Sequence, residues 1–134
     1  MVDASPEAIV RGFLHALEDL DGTAAARMVA DDILYENKGL PKVRGRAQFE
    51  RAMSLLENTM DGFEARMVNL AVDGDVVLTE RVDVLRKGGF VAEFWVCGTF
   101  EVREGRIVVW RDYFDFVNVS LAFAKGLVRM ALDR

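Results

Sequence analysis

The sequence has few of the residues on which disulfide, metal and redox sites depend. Its 134 residues include one cysteine, one histidine and two prolines. A single cysteine excludes an internal disulfide and fits a reducing compartment, so we expect a cytoplasmic protein. Without metal-ligand spacing, one histidine and one cysteine predict no metal site. We interpret Cys97 as a small apolar strand residue and His15 as an ordinary helix residue.

The chain also lacks the features of a nucleic-acid-binding or membrane protein. Its formal net charge is -5 and no run of lysine and arginine appears. We therefore expect no nucleic-acid partner and no binding to an anionic membrane surface. No uninterrupted apolar run is long enough to span a bilayer, which predicts no membrane insertion. The opening residues MVDASPEA have no basic-then-apolar pattern of a secretory signal.

What the chain does contain is the composition of a folded domain. Hydrophobic residues make up 51% and charged residues 29%, which excludes an intrinsically disordered chain. A length of 134 residues is enough to bury one core, and the sequence contains no internal repeat, low-complexity tract or linker. We therefore predict a single domain covering residues 1–134.

The first sixty residues have mainly the periodicity of helices. Ser5, Pro6 and Glu7 form a helix start: a capping hydroxyl, a proline in the first turn and an acid near the positive end of the dipole. Thr23 is predicted to cap a short second helix through AAARMVA. The predicted elements of this half are a helix from residue 6, a helix over 24–30, a strand over 32–37 and a helix over 46–58.

From Phe63 onward the apolar period changes to two, which predicts strands. Glycine-containing turns of the hairpin type separate the strands. The predicted elements are strands over 63–72, 76–86, 90–101 and 106–116, followed by a helix over 118–134. Helices first and an antiparallel meander second indicate an α+β fold rather than a βαβ fold. We predict a curved, antiparallel or mixed sheet wrapped by the N-terminal helices around a cone-shaped cavity.

One carboxylate in the last predicted strand falls on the apolar face of that strand. In VVWRDYFDF, residues 108–116, strand alternation places Asp112 between Trp110 and Phe114, with Val108 and Phe116 also on that face. An isolated buried carboxylate is costly, and it usually protonates or finds a cation. Asp112 therefore indicates either a buried ion pair or a functional site.

Two further pairs of polar residues share a strand face. Arg81 and Asp83 are two apart in VVLTERVDVLR, and Tyr35 and Asn37 are two apart in the short early strand. Arg81 and Asp83 could equally form a surface ion pair, and Tyr35 and Asn37 could simply end a strand. If all of these side chains converge with Asp112, one arginine can link two aspartates that share a proton. That arrangement would supply a general acid and a general base at one pH.

Three short motifs carry a resemblance to a known family. YEN at Tyr35 and Asn37, ERVDVL at Arg81 and Asp83, and WRDYFD at Asp112 occur in order and at similar spacing to the limonene-1,2-epoxide hydrolase family. The chain resembles that family from about residue 33 to residue 116, with a similar helical start. The resemblance implies the fold shared with ketosteroid isomerase and nuclear transport factor 2, and a homodimer that uses no cofactor.

The resemblance also implies a role for each motif residue. Asp112 would take a proton from water, and Tyr35 and Asn37 would hold that water. Asp83 would protonate the epoxide oxygen as the ring opens, and Arg81 would bridge the two carboxylates. The substrate implied is a small lipophilic epoxide, and water is the co-substrate.

An apolar wall is expected beside these polar groups. Leu85, Phe94, Trp110 and Phe114 are the predicted substrate-binding residues, and such a wall suits a terpene- or steroid-like epoxide. Two other functions remain open at this point. One is an enzyme of the same fold that moves a proton on carbon, as in ketosteroid isomerase or a polyketide cyclase. The other is a non-catalytic small-molecule-binding module.

Overall fold

The computed structural model describes residues 5–133, which form helices on one six-stranded sheet. The helices are α1 (Pro6–Glu18), α2 (Gly22–Arg27), α3 (Arg46–Thr59) and α4 (Phe116–Leu132). The strands are β1 (Val29–Asn37), β2 (Val43–Arg44), β3 (Gly62–Asp73), β4 (Val76–Lys87), β5 (Phe90–Arg103) and β6 (Arg106–Phe114). The predicted α+β class is confirmed.

The sheet is mixed, and its strand order is β2-β1-β6-β5-β4-β3. Strands β3 to β6 form the predicted antiparallel meander, with two-residue loops between consecutive strands. In the last loop Glu104 and Gly105 both have positive φ, 51° and 76°, as a type I′ hairpin turn requires. Strand β1 then pairs in parallel with β6, which joins the first half of the chain to the meander.

Irregularities in the ladders curve the sheet. The register shifts between Met67 and Asn69 in β3, at Val108 in β6, opposite Glu101 and Val102, and within β1 after Val29. Such bulges bend a strand and increase its twist. The curved sheet therefore has a concave face, which the helices cover, and an outer face.

The beginning of the chain follows the prediction with two corrections. Ser5 caps α1 by accepting a hydrogen bond from the amide of Ala8, as expected. The cap of α2 is Asp21, not Thr23, because the Asp21 carboxylate accepts from the amide of Ala24. The helix ends at Arg27, earlier than predicted, because the chain from Val29 pairs with β6.

The end of the meander also differs from the prediction. Strand β6 stops at Phe114 because Asp115 caps α4, accepting from the amides of Val117 and Asn118. Phe116 is therefore the first residue of a helix, half exposed, and it does not share the face of Asp112. The predicted last helix is present but shifted, and Arg134 lies outside the described residues.

The helices bury the concave face in two clusters. Near α1 the rings of Phe13, Phe49, Phe100 and Trp110 pack together, with Phe13 edge-on to Trp110 at 5.1 Å. Helix α4 covers the other end of β5, where Ala122 belongs to a second cluster. Within residues 5–133 no helix is long and apolar enough to cross a membrane.

Candidate active site

Three strands supply the predicted catalytic side chains, and all five side chains belong to the concave side of the sheet. Tyr35 and Asn37 come from β1, Arg81 and Asp83 from β4, and Asp112 from β6. Parallel pairing sets Asn37 directly beside Asp112. Residues two apart on a strand face the same way, so the local sequence aims each pair inward. The predicted convergence is present, while the catalytic roles of these residues stay a prediction.

Arg81 is the centre of the cluster, and all of its donors are used. Its Nε and Nη2 donate to the two oxygens of Asp83, each at 3.0 Å. Its Nη1 and Nη2 donate to the two oxygens of Asp112, at 3.3 and 3.0 Å. The remaining hydrogen on Nη1 goes to Thr79 Oγ1 at 3.1 Å. A guanidinium has five N–H donors, so Arg81 has none left for a substrate and acts as a bridge.

The Arg81 side chain extends across β5 to reach Asp112 on β6, and Gly98 leaves the space that it needs. Thr79 on β4, Gly98 on β5 and Asp112 on β6 are opposite one another in the ladder. A side chain at the middle position would block Arg81 from reaching Asp112. A Cβ placed on Gly98 would lie 2.6 Å from Arg81 Nη1 and 2.7 Å from Asp112 Oδ1. Glycine is therefore required at this position by the close approach of charged groups.

Asp112 is buried but not isolated. Trp110 Nε1 donates to its Oδ1 at 2.9 Å, in addition to the hydrogen bonds from Arg81. Burial raises the pKa of Asp112 above its ordinary value, although the charge of Arg81 and the Trp110 hydrogen bond oppose that rise. A raised pKa makes the ionised carboxylate a stronger base than a free aspartate.

The charges of the cluster explain how Arg81 tolerates burial. Burial works against a charged guanidinium, but the carboxylates of Asp112 and Asp83 outweigh it and raise the pKa of Arg81. With both carboxylates ionised, the cluster carries one net negative charge. One added proton makes it neutral, which a buried site favours. The cluster is therefore suited to hold one exchangeable proton.

Tyr35 is a neutral partner in this site. Burial raises the pKa of its hydroxyl, and the Asp112 charge raises it further, so the phenol keeps its proton at physiological pH. The nearby Asn37 side chain works against this rise in the pKa of Tyr35. The Tyr35 ring stacks on Trp110 with centroids 4.0 Å apart and planes 11° apart. Together with Asp112, the two side chains offer neutral donors and acceptors around one point.

A cavity of about 430 Å³ opens beside the cluster. Tyr35, Asn37, Asp83 and Asp112 line it, whereas Arg81 lies behind the two carboxylates. The predicted wall residues line the same cavity: Leu85, Phe94, Trp110 and Phe114. The volume is within the range of ligand pockets, and the wall is mostly apolar with a few polar groups.

The sequence interpretation missed the opposite wall of the cavity. Helix α3 supplies much of it, including Met53 and Leu56, and Met60 adds to it directly after the helix. Met53 and Leu56 share one apolar face of α3, and that periodicity is the signal that could have identified them. Thr79 and Gly98 were also missed, because their importance depends on cross-strand register.

The remaining chemistry-bearing residues lie elsewhere. His15 is exposed on α1 beside Glu18, and Cys97 is a strand residue exposed on the outer face of β5. Within residues 5–133, no group of three or more His, Cys, Asp or Glu side chains could hold a metal ion.

Comparison with known proteins identifies relatives over most of the chain. The model of the family described as the limonene-1,2-epoxide hydrolase catalytic domain matches residues 4–125. Epoxide hydrolase EphG of Mycobacterium tuberculosis is 38% identical over 123 residues, which are 92% of this chain and 82% of that protein.

Solved structures give the same relationship and a wider fold group. The structure of an M. tuberculosis LEH-like epoxide hydrolase is 38% identical and covers 96% of each chain, with a TM-score of 0.84. A Catenulispora acidiphila protein with a ketosteroid isomerase-like fold is 18% identical, with a TM-score of 0.77 over 87% of this chain and 92% of its own. At this identity, the similarity to the C. acidiphila protein establishes the fold alone.

Proposed function

Because this chain belongs to the limonene-1,2-epoxide hydrolase family, we propose that it converts a lipophilic epoxide to a vicinal diol by direct attack of water, without a cofactor. The observation that carries the proposal is the bridge of Arg81 between Asp83 and Asp112 at one end of an apolar cavity. We place the reaction in a single domain spanning residues 1–134, in the cytoplasm that the single unpaired Cys97 fits.

The proton balance of the reaction fits the buried cluster. Asp112 takes a proton from the water whose oxygen forms the new bond to an epoxide carbon. Asp83 gives its proton to the epoxide oxygen as the carbon–oxygen bond of the ring breaks. The cluster starts and ends with one proton, so its net charge stays at zero throughout the step. A buried site favours such a path because no uncompensated charge appears.

The cavity supports a lipophilic substrate. Apart from Thr59 and the polar groups at the cluster, its walls are aromatic, aliphatic and methionine side chains from the sheet, from α1 and from α3 with the residue that follows it. The volume of about 430 Å³ suits a terpene-like epoxide or one ring portion of a larger, steroid-like one. Methionines 53 and 60 add side chains that adapt to irregular shapes.

The same cluster favours the proposal over the two other functions. An enzyme that transfers a proton on carbon needs no arginine between two carboxylates. Here Arg81 donates four hydrogen bonds to Asp83 and Asp112 and its fifth to Thr79. A binding module would have no need to bury two aspartates beside an apolar cavity, because each costs desolvation energy.

The path of oxygen gives a direct test. In a single turnover with enzyme in excess and a terpene-like epoxide in ¹⁸O-labelled water, we expect a vicinal diol that carries the label in its new hydroxyl. Direct attack places the water oxygen in the product, whereas an aspartyl ester intermediate would supply unlabelled oxygen from the protein. Mass spectrometry of the diol measures the label.

Mass spectrometry of the peptides containing Asp83 and Asp112 is the control. An unlabelled first-turnover diol with ¹⁸O in either aspartate would contradict the one-step mechanism. Failure to form a diol from any epoxide in a terpene- and steroid-like panel would contradict the substrate class. Isomerisation of an enone in place of ring opening would favour the ketosteroid isomerase-like alternative.

We also propose a homodimer formed through the outer face of the sheet. Leu78, Trp95 and Tyr113 are large exposed side chains on neighbouring strands of that face. Exposed apolar groups on a sheet commonly mark an interaction surface. A second copy is the occupant that the family resemblance favours.

The proposed dimer predicts a mass of about twice 15.0 kDa in sedimentation equilibrium. Leu78→Glu places a charge in the interface and should reduce the mass toward that of the monomer. Leu40→Glu is the matched control, because Leu40 is similarly exposed (53% against 49%) but lies in the loop after β1. A monomeric parent protein, or equal dissociation of both variants, would contradict the proposed interface.

A further inference from the structure

The indole N–H of Trp110 contacts a reacting group, although the sequence predicted only an apolar wall. Trp110 lies two residues before Asp112 on β6, and its Nε1 donates to Asp112 Oδ1 at 2.9 Å. Both side chains are buried, with exposures of 4% and 3%. A hydrogen bond between a neutral donor and a buried carboxylate stabilises the ionised form. The indole therefore acts on the protonation of Asp112 as well as on packing.

The oxygens of Asp112 are not equivalent. Oδ1 accepts two hydrogen bonds, from Trp110 Nε1 and Arg81 Nη1. Oδ2 accepts one, from Arg81 Nη2. Each carboxylate oxygen has about two lone-pair sites, so Oδ1 is fully used and Oδ2 keeps one site free. Without the indole N–H, both oxygens would have a free site and Asp112 could present either one.

The surrounding rings hold the indole in this orientation. Tyr35 stacks on Trp110 at 4.0 Å, and Phe100 lies parallel to it, with centroids 6.0 Å apart and planes 10° apart. Phe13 packs edge-on at 5.1 Å with an angle of 80°. A ring held between others by packing and by strand pairing cannot turn its N–H away from Asp112.

We infer that Trp110 is a positioning residue of the proposed hydrolysis: its N–H occupies Asp112 Oδ1 and leaves Oδ2 as the oxygen that takes the proton from water. The inference rests on the proposed function. The other titratable groups that face Asp112 are Arg81 and Asp83 from β4 and Tyr35 from β1. The side chains that α1 and α3 contribute to the cavity are uncharged.

The test is the acid limb of the pH profile of kcat/KM. Trp110→Phe keeps a ring in the stack but removes the donor, so the pKa of Asp112 should rise by about one unit, a typical effect of one hydrogen bond to a charged group. Since Asp112 must be ionised to act as base, activity falls as the pH falls through its pKa, and the limb should move to higher pH. Below the limb we expect about tenfold lower kcat/KM. Well above the limb the two enzymes should agree within a few-fold.

Phe100→Leu is the matched control, because it changes the more distant packing on the same indole without removing a donor, while Tyr35 and Phe13 still hold the ring in place. Its limb should stay at the parent position. If Trp110→Phe does not fold, a second variant keeps the test possible. Benzothienylalanine is incorporated at position 110 in a Trp95→Phe background, and this residue has the shape of the indole but lacks the N–H. An unmoved limb in the donor-free variants, or an equal shift in Phe100→Leu, overturns the inference.

Titration without substrate separates this inference from the proposed function. Aspartate ¹³C-carboxyl NMR, with the Asp112 resonance assigned from Asp112→Asn, follows the protonation of Asp112 directly. A rise in that titration midpoint in Trp110→Phe supports the contact even if the parent forms no diol, in which case the proposed function alone fails. An unchanged midpoint overturns the positioning role whatever the activity.

Discussion

Replacing Asp112 with asparagine should reduce diol formation by about 10²–10⁴-fold, the range typical of a general base. Asparagine has almost the same size and can still accept from Trp110 Nε1 through its carbonyl oxygen, so the pocket keeps its shape. What it loses is the ability to take a proton from water. Single-turnover rates across the pH range measure the loss, and no pH should restore the parent rate.

The protein should stay folded after this change. Removing the Asp112 charge leaves Arg81 paired with Asp83 alone, which is a neutral buried pair. The cluster stays electrically neutral, as in the parent, so the main cost of the change is one lost hydrogen bond from Arg81. We therefore expect the unfolding temperature to stay within a few degrees of the parent, measured by calorimetry. An inactive enzyme of unchanged stability separates a catalytic role from a structural one.

Asp83→Asn should cause a loss of the same order, because it removes the proposed acid. Glu80→Gln is the matched control: it removes a carboxylate from the same strand, but that carboxylate lies outside the cavity and accepts from Asn69. Its turnover should equal that of the parent. Substantial diol formation by folded Asp83→Asn or Asp112→Asn would show that the assigned roles are wrong.

The parts of the fold that the sequence predicted are those with local causes. The Ser5 cap and the hairpin turns of the meander each depend on a few adjacent residues, and they are present as expected. Strand β2 was missed because two residues, Val43 and Arg44, carry no periodic signal and gain strand geometry only by pairing with β1. The early start of β1 has the same explanation, because Val29 is extended by pairing with Ile107.

The site residues also separate into those that local sequence predicts and those that depend on pairing between strands. Strand parity placed Arg81 with Asp83 and exposed the anomaly of Asp112, since both follow from a period of two. Parity could not decide whether Arg81 points into the cavity or to the outer face, and the motif resemblance supplied that expectation. The crossing of Arg81 over Gly98 depends on the register of three strands, which no short stretch of sequence encodes.

Gly98→Ala should therefore disable the enzyme with a single methyl group. The added Cβ would lie 2.6 Å from Arg81 Nη1 and 2.9 Å from Thr79 Oγ1, well inside normal contact distances. Both atoms lie at the ends of side chains. The backbone can therefore stay in place while the guanidinium moves by about 1 Å. A displacement of that size in a catalytic group can cost about 100-fold in rate, and here it would loosen Arg81 from Asp112.

Gly12→Ala is the matched control for that change. The same methyl group at Gly12, in the interior of α1, would meet only the flexible end of Met28 at 3.1 Å, far from the carboxylates. Alanine also favours the helix by up to about 1 kcal/mol over glycine. We expect parent turnover from Gly12→Ala and at least about 100-fold lower kcat from Gly98→Ala, with circular dichroism showing both variants folded. Parent-like kcat in Gly98→Ala would mean that the Arg81 bridge to Asp112 is dispensable, because no side chain can occupy that gap while the bridge stays in place.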